Sequence, residues 1–320
     1  MTFRPSLLVL AAVLAGVAFA APATAQPKSL TIGTASVGGT YFIYGGVVAQ
    51  LLTEKGGINT STQQTQGPNQ NIILVEDKKI ELGMTTMGIA LQARNGAEWT
   101  QGKKYTSFRA LFPMYDTPFH FITTDKSGIT KVADLNGKAV GVGPKAGTPG
   151  TYFPLMFDAL GLKVTVRNGS ANDMASQLGD GLIQSFAFAA GLPIAAYSEI
   201  EASRAVKYFT FTDAEIKTMQ AKMPELSASV IPKGTYKTLA EDHKTVGLYN
   251  FAIAHQDMAD DVAYKVVKTV LENNDAMVKG HVAAKETILA NWKANTFLPF
   301  HAGAVRYLKE KGIEVPANLR

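Results

Sequence analysis

Cysteine is absent from the 320 residues. That excludes disulfides, thiolate metal sites and cysteine nucleophiles. Charge is sparse too: charged residues make up 18% of the chain, and the formal net charge of +5 is spread out. The densest cationic pairs, Lys78-Lys79 and Lys103-Lys104, stand alone, without an arginine-rich stripe or interleaved aromatics. Composition therefore speaks against nucleic-acid binding. Familiar catalytic signatures are missing as well. There is no G-x-S-x-G elbow, no H-E-x-x-H, no histidine pair at metal-ligand spacing and no convincing carboxylate pair. Beyond the N-terminus, no unbroken apolar stretch reaches the roughly 18 residues of a membrane span.

What the chain does contain starts with its first 25 residues. Arg4 supplies a positive n-region, Leu7 to Phe19 a short apolar h-region, and Ala23-Thr24-Ala25 a small-x-small cleavage site before Gln26. Residues 1–25 thus read as a secretory signal peptide, which directs the protein to the periplasm. About 295 residues follow, enough for two domains.

Beyond that segment, strand and helix patterns alternate. Strands are expected over 30–35, 58–65 and 81–86, with helices over 41–55, over 69–77 (capped by Asn69 or Asn71) and up to Arg94. Residues 109–124 form an extended segment broken at Pro113 and Pro118, as a crossover between domains would be. The theme then repeats. Strands are expected over 138–144, 163–168, 183–191 and 205–211. Helices are expected over 151–161, over 172–181 (with an Asn or Asp cap), over 192–203 (with Pro193 near its first turn) and over 213–223 (capped by Asp213). After Pro224 two extended stretches return across the molecule, and helices follow over 262–279 and 283–293. This predicts an α/β fold with parallel sheets in two lobes and a ligand cleft between them. The division is 26–116 plus 240–320 for lobe I and 117–239 for lobe II, with the last helices packed on lobe I.

Four strand-to-helix turns, 34–41, 66–71, 85–88 and 143–151, are rich in glycine and hydroxyls, and 189–193 is a smaller fifth. Ligands of open α/β sheets sit beside such turns, where a helix N-terminus offers unpaired N–H groups and a partial positive charge of about +0.5. In Ser36-Val37-Gly38-Gly39-Thr40-Tyr41 the glycines admit a ligand to the backbone, and Ser36 and Thr40 either donate to that ligand or serve only as helix caps. Tyr41 and Tyr152 are the aromatics best placed to line a pocket. Residues 141–146 match G-x-G-x-x-A, but Pro144 removes a donor that a pyrophosphate needs and no acidic residue ends the next strand, so nucleotide binding is disfavoured. Lys145 reads either as a cleft cation or as a solvated loop residue, and His120, in the crossover, is the one histidine that could face the cleft.

The stretches LTIGTASVGGTYFIYGGVVAQLL, QTQGPNQNIILVEDKKIELGMTT, ALFPMYDTPFHFITTDKSGITKVADLNGKAVGVGPKAGTPG, FAFAAGLPIAAYSEI and LPFHAGAVRYLKEKG resemble, in order, the TAXI family. These are solute-binding proteins of the TRAP (tripartite ATP-independent periplasmic) transporters. The resemblance implies a type II periplasmic-binding-protein fold that closes like a flytrap and delivers its ligand to a TRAP membrane permease. It implies a monomer without enzymatic activity, cofactor or metal, and a small organic acid or amino acid, such as glutamate, as ligand. Gly67-Pro68-Asn69-Gln70-Asn71 and Met84-Thr85-Thr86-Met87 depart from the family pattern towards a less acidic pocket, which favours a simple mono- or dicarboxylate over an amino acid. The ligand residues are then Ser36, Gly38, Gly39, Thr40 and Tyr41, with Asn69, Thr85 and Thr86 beside them. Lys145, Gly147, Thr148 and Thr151 meet the ligand from lobe II, and Ala190 and Gly191 floor the pocket. A periplasmic sensor subunit and an exported enzyme on the same scaffold are the other two functions compatible with this sequence.

Overall fold

Apolar strands that turn sharply into helices recur in both halves of the chain, and this unit builds much of both sheets. A computed structural model describes residues 29–320. The signal-peptide reading therefore lies outside the described residues. The first half contains β1 (Leu30–Gly33), α1 (Thr40–Glu54), β2 (Thr60–Gln63), α2 (Pro68–Glu76), β3 (Leu82–Thr86), α3 (Met87–Asn95) and β4 (Phe108–Pro113). The second contains β5 (Phe119–Thr124), β6 (Ala139–Gly141), α4 (Thr148–Ala159), β7 (Thr165–Arg167), α5 (Ala171–Gly179), β8 (Ser185–Ala189), α6 (Ala195–Ser203), β9 (Val206–Phe209) and α7 (Asp213–Lys222). A ribbon of β10 (Ser227–Ile231) and β11 (His243–Gly247) leads back to β12 (Asn250–His255), followed by α8 (Asp260–Glu272), α9 (Asn274–Gly280) and α10 (Ala302–Glu310). Among the described residues no helix is long and apolar enough to cross a membrane.

The sheet orders are β2-β1-β3-β12-β4 and β7-β6-β8-β5-β9, so the two lobes share one plan. In each, the strand second from the edge comes from a crossover: β5 enters the second lobe and β12 re-enters the first. Both run antiparallel to their neighbours, while β1, β2 and β3, and likewise β6, β7 and β8, are parallel. This corrects the all-parallel expectation. A strand reached through a crossover without an intervening helix has no right-handed helical connection to set it parallel. The crossovers themselves pair: Thr117 and Leu248 exchange backbone hydrogen bonds, as do Met114, Tyr115 and Asn250.

Several expected boundaries shift for identifiable reasons. Gly67, not an asparagine, caps α2, because Asn71 is turned inward. Ser170 and Thr212 cap α5 and α7 in capping boxes with Asp173 and Glu215, so Asp213 is the first residue of its helix, not the cap. Pro193 precedes α6 and does not enter its first turn. The helix expected over 262–279 breaks at Asn273, where Asn274 turns its amide to the carbonyls of Ala284 and Thr287. The one expected over 283–293 is two short 3₁₀ segments. Thr287 separates them and bonds the Met114 carbonyl in the crossover.

Asn71 locks the first lobe. It is fully buried, donates to the carbonyls of Thr34 (2.9 Å) and Met84 (3.0 Å), and accepts from Thr65 Oγ1 (2.8 Å), tying β1, the turn after β2 and β3 together. Asn71→Ala removes the carboxamide that bridges the buried Thr34 and Met84 carbonyls, leaving only the Thr65 hydroxyl to donate to Thr34. It is expected to lower unfolding stability by about 2–4 kcal/mol in urea titration, and a loss below about 1 kcal/mol would contradict this role.

Candidate functional site

The turn 34–39 carries β1 into α1, and its polar groups face the other lobe. Gly39 caps the helix without a side chain, so neither Ser36 nor Thr40 is a cap. Thr40 Oγ1 donates instead to the carbonyl of Gly191, between β8 and α6. Ser36 Oγ accepts the N–H of Ala171, the first residue of α5, at 3.4 Å. The carbonyl of Gly38 accepts the N–H of Ala196 in the first turn of α6 at 3.2 Å. Gly38 has φ +87°, and a Cβ there would lie 2.0 Å from Asn172 Oδ1. Only glycine fits this notch in the second lobe.

A second seam runs beside the first. The hydroxyls of Thr86, at the end of β3, and Thr148, which opens α4, are 3.0 Å apart. Asn69 Nδ2 donates to Thr151 Oγ1 at 3.2 Å, and a Cβ on Gly67 would stand 3.1 Å from Gly147 Cα.

Between the seams lies a cavity of about 40 Å³, room for roughly three water-sized spheres. Of the anticipated residues, Ser36, Gly39, Thr40, Tyr41, Thr86, Gly147, Thr148 and Ala190 line it. Gly38, Asn69, Thr151 and Gly191 belong to the seams. Thr85, fully buried, bonds the Thr86 carbonyl. Lys145 is exposed and does not line the cavity, which removes it as a cleft cation in this arrangement.

Two other expectations are corrected. His120 lies in the core of the second lobe, with Nε2 2.9 Å from the Tyr236 hydroxyl and Nδ1 3.3 Å from the Pro118 carbonyl. Burial lowers its pKa to about 3, so it is a neutral packing residue. Tyr152 is buried and donates to Glu225 at 2.8 Å, away from the cavity. The glycines of G-x-G-x-x-A serve packing: a Cβ on Gly141 or Gly143 would strike Met174 or the Phe188 ring.

Sequence reasoning missed Gln66, Gly67, Pro68, Pro144, Pro149 and Phe188 at the wall, and Thr117 and Asn250 from the crossovers. Asn250 has a visible signal, being the one polar side chain within the apolar run LYNFAIA. It is fully buried, accepts from the Tyr41 hydroxyl (2.5 Å), and donates to the Tyr115 carbonyl and Thr117 Oγ1 (2.5 Å each). Burial raises the Tyr41 pKa well above normal, so this phenol keeps its proton. No Asp, Glu, Lys, Arg or His lines the cavity. The wall combines hydroxyls, the Asn250 carboxamide and the first turns of α1, α2 and α4 with apolar surface from Ala35, Pro68, Pro144, Pro149, Ala189 and the Phe188 ring.

The chain belongs to the NMT1-like family, whose model matches residues 32–312. Its fold is that of solved periplasmic binding proteins. The periplasmic binding protein BugD superposes with a TM-score of 0.57 at 12% identity, covering 89% of this chain and 98% of that one. An R. palustris protein with adipate gives 0.54 at 17%, covering 78% and 85%. A putative L-cystine ABC transporter from Listeria monocytogenes gives 0.51 at 12%, covering 82% and 96%. At these identities the likeness establishes the two-lobe α/β architecture.

Two outcomes follow from the geometry. Gly38→Ala, in the left-handed region and facing Asn172, is expected to hold the lobes apart. Small-angle scattering should show a larger radius of gyration than wild type, partly restored by Asn172→Ala; an unchanged radius would contradict the notch. His120, neutral in the fold, binds its proton only when unfolded between pH 3 and 6.5. Its contribution therefore falls as pH drops through that window, by about 1.4 kcal/mol per unit. His120→Gln should flatten the stability–pH profile between pH 6 and 4, and a parallel profile would refute the assignment.

Proposed function

We propose that this protein is an extracytoplasmic solute receptor that closes its lobes on a small carboxylate and hands it to a membrane permease. One observation carries the reading: both lobes contribute helix first turns and hydroxyls to one cavity that has no ionisable group apart from the hydrogen-bonded Tyr41 phenol. Helix N-termini supply partial positive charge where a carboxylate would sit, and hydroxyls complete its coordination. An amino acid would also bring an ammonium group, and no carboxylate lines the cavity to receive it. A simple mono- or dicarboxylate is therefore the preferred ligand. The solved neighbour with adipate is compatible with this chemistry.

The signal-peptide pattern supports a periplasmic location. The ordered motifs of the TAXI type favour a TRAP permease as the receiving partner, although some solved neighbours are named as parts of ABC transporters. The lobes are assigned to 26–116 plus 240–320 and to 117–239, acting as a monomer with neither catalysis nor a cofactor. Ser36, Gly38, Gly39, Thr40, Tyr41, Asn69, Thr85, Thr86, Gly147, Thr148, Thr151, Ala190 and Gly191 form the ligand jaws or the seams around them. In the present arrangement Thr40 and Thr148 bond across the seam. A ligand that shifts the hinge must offer these hydroxyls better partners between the lobes.

A thermal-shift screen with small organic acids, amino acids and neutral sugars tests the ligand class. At one hundred times its dissociation constant, a true ligand adds about 2.7 kcal/mol of stability. Carboxylates are expected to raise the melting temperature, and stabilisation by neutral sugars alone would overturn the reading. Thr40→Ala and Thr148→Ala should each weaken calorimetric binding of the best acid about tenfold with the circular dichroism unchanged. Unchanged affinity in both would reject these residues as ligand contacts.

A further inference from the structure

Thr117 lies on the outgoing crossover, is 2% exposed, and lines the cavity. Its hydrogen bonding is directional. The Tyr115 carbonyl can only accept, so the NH₂ end of Asn250 must face it, and the Tyr41 phenol donates to the opposite oxygen. The second amide hydrogen of Asn250 then points to Thr117 Oγ1. Thr117 thus accepts from Asn250, and among the described residues its hydroxyl hydrogen has no acceptor. Ser36 is in the same position: its Oγ accepts the Ala171 N–H and finds no acceptor among the described residues. In the Thr86–Thr148 pair one hydroxyl donates to the other, which leaves one further hydrogen without an acceptor there. Buried hydroxyls that only accept are costly unless something takes their protons.

We infer that Thr117 is a specificity-determining ligand residue: Asn250 donates to its hydroxyl oxygen and leaves the hydroxyl hydrogen to be given to a ligand, which favours anionic acceptor groups. This rests on the carboxylate reading above and extends it to a residue on the crossover strand. The chain Tyr41–Asn250–Thr117 starts on α1, passes through β12 and ends in the crossover, so the same contact ties a ligand to the segment that joins the lobes. A carboxylate oxygen takes that hydrogen in a charge-assisted bond.

The test is calorimetric titration of the full secreted chain with linear C2–C6 mono- and dicarboxylates, followed by the tightest of them on two variants. Thr117→Val keeps the shape and removes the donor. It should weaken binding about 10- to 100-fold and, because it also orphans a buried Asn250 amide hydrogen, lower the ligand-free melting temperature by about 2–8 °C, whereas Thr117→Ser should leave that temperature near wild type. Thr117→Ser restores the donor and should bring affinity back to within about threefold, a recovery that a packing role for the methyl group would not produce. If wild type binds an acid and Thr117→Val binds it as tightly, this assignment fails and the carboxylate reading stands. If wild type binds none of the acids, both fail together.

Discussion

The Asn250 carboxamide is the point on which the rest of the architecture depends. It is buried at the junction of both crossovers and uses its oxygen for Tyr41 and both amide hydrogens for Tyr115 and Thr117. Through Tyr41 it holds the helix whose first turn opens the ligand jaw. Through Tyr115 and Thr117 it holds the segment that leads into the second lobe. A buried carboxamide with three partners satisfied is a stringent constraint, because loss of any one orphans a polar group out of reach of water. Tyr44 and Thr287 reinforce the same junction, with Thr287 bonding both the Tyr44 hydroxyl and the Met114 carbonyl.

That junction also explains why the lobes meet as they do. The seams on either side of the cavity are made of single hydrogen bonds between short polar side chains and backbone groups. Each such bond contributes only about 0.5–1.5 kcal/mol net. A few of these are enough to register the two lobes but weak enough for a ligand to replace. The tight notch at Gly38 sets the geometry of approach, and the hydroxyls set what can be held. A wall without Asp, Glu, Lys, Arg or His side chains avoids the cost of burying unpaired charge between the lobes.

The fold was largely legible in the sequence because apolar periodicity and glycine stops mark elements locally. The capping boxes Ser170/Asp173 and Thr212/Glu215 carry a local signature as well, a serine or threonine three residues before an acid. The jaw turns were visible from their glycines and hydroxyls. What stayed hidden depends on contacts distant in sequence. Thr117 and Asn250 are 133 residues apart and acquire meaning only as a pair. Thr287 breaks a helical pattern because its hydroxyl is needed 173 residues away. Lys145 attracted notice as a cation, yet it stays in water where its charge is solvated. His120 attracted notice as a titratable group, yet β5 carries it into the core.

The central claim is that the cavity between the lobes recognises a carboxylate through donors. The most direct measurement is the ratio of affinities for the best-binding acid and for its primary amide, which matches it in size but adds donors and lacks the charge. The account predicts that the acid binds at least about a hundredfold more tightly, since the wall offers donors to both oxygens. Equal or tighter binding of the amide would contradict it.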